Sequence, residues 1–81
     1  RALRTSSAHL RAAEFAQAEL ERLLTVPYDA LASGTRSTAQ GTATWTVEDS
    51  VTYRRIRLVT EYAPTPAVSV WDTLVAYRTK P

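Results

Sequence analysis

Apolar residues recur at two different periods along this chain. From Arg1 to Leu24 the residues are Ala, Leu, Glu, Gln and Arg in the main, with neither Gly nor Pro, and these are helix formers. Leu3, Leu10, Ala13, Ala16, Leu20, Leu23 and Leu24 fall along one stripe at helical spacing, and Arg4, Arg11, Glu14, Glu21 and Arg22 fall on the far side. The spacing predicts one helix over 1–25 with that stripe facing a core. At about 1.5 Å per residue the helix is roughly 35 Å long. A small sheet does not need that length, so its N-terminal end is expected to protrude.

Val26-Pro27 ends the helix, because proline disfavours helical geometry in the residue before it and cannot donate to the last turn. Tyr28 to Leu31 reads as a tight apolar turn, and Ala32 to Gly41 as a polar connection with nothing periodic to bury, so 26–41 is expected to be a connecting loop. From Gly41 the period becomes two. Ala43, Trp45 and Val47 alternate with Thr42, Thr44 and Thr46, and Glu48-Asp49-Ser50 reads as the next turn. Thr52 to Tyr62 reads as a second strand, with Ile56, Leu58 and Tyr62 on one face and Arg55, Arg57, Val59 and Glu61 on the other. Ala63-Pro64-Thr65-Pro66-Ala67 is expected to close a hairpin in which two prolines stop the pairing, and Val68 to Arg78 reads as the third strand.

Both faces of that last strand compete for burial. The face of Val70, Leu74 and Ala76 is favoured despite Asp72, which leaves Trp71, Val75 and Tyr77 outside with Val59, Arg55 and Arg57. The fold expected is α+β: a long N-terminal helix (1–25) and a connecting loop (26–41), with the helix packed on a three-stranded antiparallel β-meander (42–81).

Length and charge narrow the possibilities further. The 81 residues leave room for one domain, since a second core needs roughly 50 residues of its own. A net charge of +2, from 10 basic and 8 acidic residues, is too small an imbalance to point to nucleic acid as the partner. With no Cys and the single His9, neither a disulfide scaffold nor a structural metal site is expected. No run of about 18–20 apolar residues that would span a bilayer is present in these 81 residues.

The register Ala12-Ala13-Glu14-Phe15-Ala16-Gln17-Ala18-Glu19-Leu20-Glu21-Arg22-Leu23, its exit through Val26-Pro27-Tyr28, and the later segments Trp45-Thr46-Val47 and Tyr53-Arg54-Arg55-Ile56-Arg57-Leu58 resemble type IV minor pilins and the minor pseudopilins of type II secretion. The likeness runs over nearly the whole chain, and the order of the segments carries it. It implies a structural subunit that polymerises into a pilus-like filament or a secretion pseudopilus. Its partners would be other pilins or pseudopilins and the inner-membrane assembly machinery. The expected location is the periplasmic face of the inner membrane or an extracellular filament.

The family's apolar N-terminal helix half, with its processing site and acidic residue, is not among these residues. On the resemblance it lies upstream, anchors the subunit in the membrane, and places Arg1 midway along the helix. The missing Cys departs from major pilins, many of which close a C-terminal loop with a disulfide, and favours a minor or pseudopilin type. Phe15, on the charged side of the predicted helix among Ala8, Ala12 and Ala18, is expected to meet a neighbouring helix. Arg11, Glu14, Glu19 and Arg22, with Glu21, would set register by charge, and the sheet would contribute Arg55, Arg57, Trp71 and Tyr77.

Chemistry leaves little else. Ser6, Ser7, His9 and Asp29 lack the strained elbow and oxyanion donors of a hydrolase, and no enzyme activity is expected. Gly34 and Gly41 form neither a P-loop nor a dinucleotide fingerprint, so no cofactor is expected. Arg54, Arg55 and Arg57 near Tyr53 and Trp71 give the main alternative, a nucleic-acid-binding module such as a DNA-uptake pilin, with Glu61 and Asp72 offsetting part of that charge. A small regulatory domain that binds one protein partner is a second alternative.

Overall fold

The computed structural model describes residues 2–81, with side chains described from Ser7 onward. A single helix, α1 (Ala2–Leu24), is followed by a 3-10 turn (Tyr28–Ala30) and four strands: β1 (Gly34–Thr38), β2 (Gly41–Asp49), β3 (Tyr53–Thr65) and β4 (Val68–Thr79). The strands form one antiparallel sheet in the order β1-β2-β3-β4. The class is α+β as expected, but the sheet has four strands rather than three. β1 lies inside the segment expected to be loop. Its sequence Gly-Thr-Arg-Ser-Thr buries no apolar side chain, so no period-two hydrophobic signal exists. It is held by backbone pairing to β2, from Gly34 opposite Trp45 to Thr38 opposite Gly41, around the two-residue turn Ala39-Gln40.

α1 packs over β3 and β4. Leu23 joins Leu31, Ala43, Ile56 and Leu58 in the main core, with Leu20, Val26, Trp45, Val47 and Leu74 packed against it. Nearer the N-terminus, Ala12 and Phe15 meet Tyr62 and Val70 in a second cluster. The helix therefore runs antiparallel to β3 and parallel to β4. Ten helical residues, about 15 Å, precede Ala12. β4 reaches only two residues, about 7 Å, beyond Val70. The part of the helix with described side chains, Ser7–Leu24, is about 27 Å long, shorter than the roughly 35 Å expected, and the molecule measures 46 × 23 × 16 Å.

The buried stripe of α1 is rotated from the predicted one. Ala12, Phe15, Ala16, Glu19 and Leu23 are buried, with Leu20 half-buried, whereas Leu10, Ala13 and Leu24 are exposed. Leu3, Arg4 and Ser6 lie outside the described side chains. The sequence carries two overlapping apolar stripes, and the end of the helix decides between them. Arg54 and Arg78, opposite one another on β3 and β4, both reach to this end. Arg54 donates to the Tyr28 and Leu31 carbonyls at 2.6 and 3.1 Å, Arg78 donates to the Val26 carbonyl, and both guanidinium groups lie over the Tyr28 ring.

The two faces of the sheet separate as the alternation requires. Ile56, Leu58, Tyr62, Val70, Leu74 and Ala76 point toward the helix, and Arg55, Arg57, Trp71, Val75 and Tyr77 point away. Pairing of β3 with β4 continues past Tyr62, through an irregularity at Ala63-Pro64, to Thr65 opposite Val68. The prolines thus stop the ladder later than expected, because Pro64 falls within the bulge, where no ladder donor is needed.

Two contrasts test this packing in urea titrations. Phe15→Ala is expected to cost about 3–5 kcal/mol, and Leu10→Ala to change stability by no more than about 0.5 kcal/mol; the reverse order would restore the predicted stripe. A Cβ on Gly41 would stand 2.0 Å from the Glu61 carbonyl oxygen, whereas one on Gly34 would meet only the Trp45 ring edge at 3.0 Å. Gly41→Ala is therefore expected to destabilise by several times as much as Gly34→Ala, because a backbone atom must shift in the first case and a side chain in the second.

Candidate assembly surfaces

The nine residues singled out from the sequence fall into two groups on opposite sides of the sheet. On the helix side, Arg11 and Glu14 line an open cleft of about 540 Å³ between α1 and the β1–β2 turn. Phe15 and Tyr62 form its floor, with ring centroids 6.2 Å apart. Phe15 is only 7% exposed, so it is a core residue of its own domain and not the free aromatic expected on the outer side. The helix carries it inward because Ala8, Ala12 and Ala16 let the backbone come close to the sheet and leave room for one large ring.

Glu19 is the charged member of the buried stripe. Its side chain is 7% exposed, and Arg36 of β1 and Arg22 Nε, the latter at 3.3 Å, both donate to its carboxylate. A carboxylate at this depth needs such partners, because desolvation without them costs several kcal/mol. Arg22 also lies 5.2 Å from the centre of the Trp45 ring, and Trp45 donates to the Ala32 carbonyl at 2.8 Å. Glu19 and Arg22 are thus engaged within the chain and bind the helix to the β1–β2 hairpin. Arg36 was not foreseen. Its only sequence signal is that it is the single charge in the polar segment 32–41.

On the open face of the sheet, Trp71 and Tyr77 are 63% and 62% exposed, with Val75 between them along β4. Tyr53 meets Tyr77 edge to face at 5.4 Å. Arg57 is exposed between Thr46 and Val75, and Arg55 donates to Glu48 at 2.9 Å. Glu61, opposite Trp71, accepts from Ser69 at 2.8 Å. Arg54 does not join Arg55 and Arg57. It turns to the helix side, where it also donates to Asp49 at 2.6 Å. The basic cluster read from the sequence is therefore divided between two faces, and Glu48 and Glu61 stand among its remaining members.

Thr35, Thr42, Thr44 and Thr46 cover the rest of this face, with Thr35 and Thr44 hydroxyls 3.2 Å apart. No helix among the described residues is long and apolar enough to cross a membrane. No protein family, curated protein or solved structure matches this chain.

The Glu19 pairing predicts an asymmetry. Arg36→Met leaves a buried carboxylate with Arg22 alone and is expected to cost about 1–3 kcal/mol. Adding Glu19→Leu to that variant should recover most of the loss, since the buried charge is then gone. Urea midpoints of the single and double variants decide it, and a double variant less stable than the single one would show that the pair is not what holds the hairpin.

Proposed function

We propose that this chain is the folded part of a filament-forming subunit of the minor pilin or pseudopilin type, which acts by assembling and not by catalysing a reaction. The observation that carries the reading is that α1 has two apolar stripes and its own sheet takes one. Ala12, Phe15, Ala16 and Leu23 face the sheet, while Leu10 and Ala13 stand outside in the N-terminal half of the helix.

A helix in an isolated domain gains nothing from a second apolar stripe, since exposed Leu and Ala there bury no area. A helix bundled with others at the centre of a filament needs apolar residues on more than one side. The order of elements, one N-terminal helix followed by an antiparallel meander laid against its C-terminal half, agrees with that arrangement, as do the segments that resemble the family. The partners proposed are other subunits of the same filament and the inner-membrane assembly machinery. The proposed place of action is the periplasmic face of the inner membrane or the filament itself.

The residues encoded immediately upstream of Arg1 test the proposal directly. A short basic leader followed by about 20 or more apolar residues, with an acid near their start, is expected. A start codon beside Arg1, or a polar linker from another domain, would overturn it.

A further inference from the structure

We propose that β4 is a homodimer edge, pairing antiparallel with β4 of a second copy of this chain about a two-fold axis at Leu74. β4 is a sheet edge 12 residues long, whereas the opposite edge, β1, has five. A free edge of that length exposes a row of backbone donors and acceptors, and proteins that keep such an edge unpaired protect it with proline, lysine, a bulge or inward-pointing charges; the inward charges of β4, Asp72 and Arg78, are of opposite sign and so complement a second copy. Val68–Thr79 contains neither proline nor lysine, and its irregularity lies at the hairpin end, across from Ala63-Pro64.

The residues on this strand are arranged symmetrically about Leu74. In an antiparallel pair centred there, Trp71 falls opposite Tyr77 of the second copy and Thr73 opposite Val75, each pair occurring twice. The open face would then carry two aromatic pairs and two Thr-Val pairs, combinations that favour strand pairing. The helix side supplies charge complementarity. Asp72 is a half-buried carboxylate on that side whose Oδ2 is enclosed by its own chain without a hydrogen-bond partner, so a second copy meets its charge through the accessible remainder of the side chain. In this register Asp72 sits diagonal to Arg78 of the second copy, which has nitrogens beyond the one that meets Val26, and diagonal neighbours are within reach of a long side chain.

The helix adds area at the same edge. Arg11, Glu14 and Ala18 line the cleft on the β1 side. At 100° per residue, Leu20 and Leu24 therefore lie on the β4 side, and Leu24 is 40% exposed. With strands about 4.8 Å apart, two helices seated over β3 and β4 come within roughly 10 Å, a normal helix-packing distance. Trp71 and Tyr77 have about six-tenths of their surface exposed, so the four rings of two copies bring roughly 360–600 Å²; with Val75, Leu24 and the strand edge the contact belongs to the small, weak class below about 1,200 Å². The affinity should be moderate, with Kd about micromolar. This inference does not rest on the filament reading, for which Leu10 and Ala13, remote from the two-fold axis, are the relevant positions.

Sedimentation equilibrium of the 81-residue chain tests it. A monomer–dimer equilibrium is expected, weakened at least about tenfold by Trp71→Lys with the melting temperature of the dilute monomer preserved, and unaffected by Leu10→Lys. The chain has no Cys, so introduced thiols report the register. Thr73→Cys with Val75→Cys in one chain should give a covalent dimer on oxidation, and Thr73→Cys alone should not. The proposal is overturned by a monomer at every concentration, or by association that Trp71→Lys leaves intact. It is equally overturned by association that Leu10→Lys abolishes, or by efficient crosslinking of Thr73→Cys alone.

Discussion

Two arginines opposite each other on neighbouring strands should repel, and the molecule is organised around the way that repulsion is relieved. Arg54 and Arg78 both turn to the segment that follows α1, where the chain presents backbone carbonyls toward the sheet. Between them they take the carbonyls of Val26, Tyr28 and Leu31, with the Tyr28 ring against both guanidinium planes. Pro27 makes this possible by ending the helix at a point where the chain turns down toward the sheet. Asp49 supplies the remaining counter-charge to Arg54.

That clamp fixes how the helix is rotated. With its C-terminal end held over β3 and β4, Leu23 points into the main core and the positions three, four, seven and eight residues before it follow at helical spacing. Ala16 and Ala12 allow close contact, Phe15 fills the space beside Tyr62, and Glu19 arrives at a depth where Arg22 and Arg36 must neutralise it. The charge on the buried stripe is thus a consequence of helix rotation. Its partner Arg36 is the side-chain tie between α1 and a strand that has no apolar contact of its own to offer.

The sheet was more legible than the helix, for a physical reason. Along β3 inward and outward positions differ in kind at nearly every step, so the faces of Ile56, Leu58 and Tyr62, and of Arg55 and Arg57, could be read from alternation alone, whereas on β4 Val70, Leu74 and Ala76 compete with Trp71, Val75 and Tyr77 and alternation leaves both faces open. Along α1 alanine occupies both sides, and a stripe through Leu10, Ala13 and Leu24 fits the helical period as well as one through Ala12, Phe15 and Leu23. Only the clamp, made by residues more than 25 positions away, distinguishes them. β1 was invisible because its inward positions are Gly34, Arg36 and Thr38: one is covered by Trp45, one is held by an ion pair and one is half-buried. Among the candidate surface residues, exposure was anticipated correctly for Trp71, Tyr77 and Arg57. It failed for Phe15 and Glu19, whose assignment depended on the rotation of the helix.

The uneven support of the sheet has a dynamic consequence. β4 lies beneath the helix along most of its length, while β1 is attached through its ladder to β2, the Glu19–Arg36 pair and the ring of Trp45. Opening the hairpin at β1 would expose little apolar surface, so its free-energy cost lies well below that of global unfolding. The amides of Gly34 to Thr38 belong to a unit that exchanges with solvent while the helix and β3–β4 remain closed. One margin of the sheet is therefore compliant and the other stiff, and strain applied to the molecule would be released first on the side away from the helix.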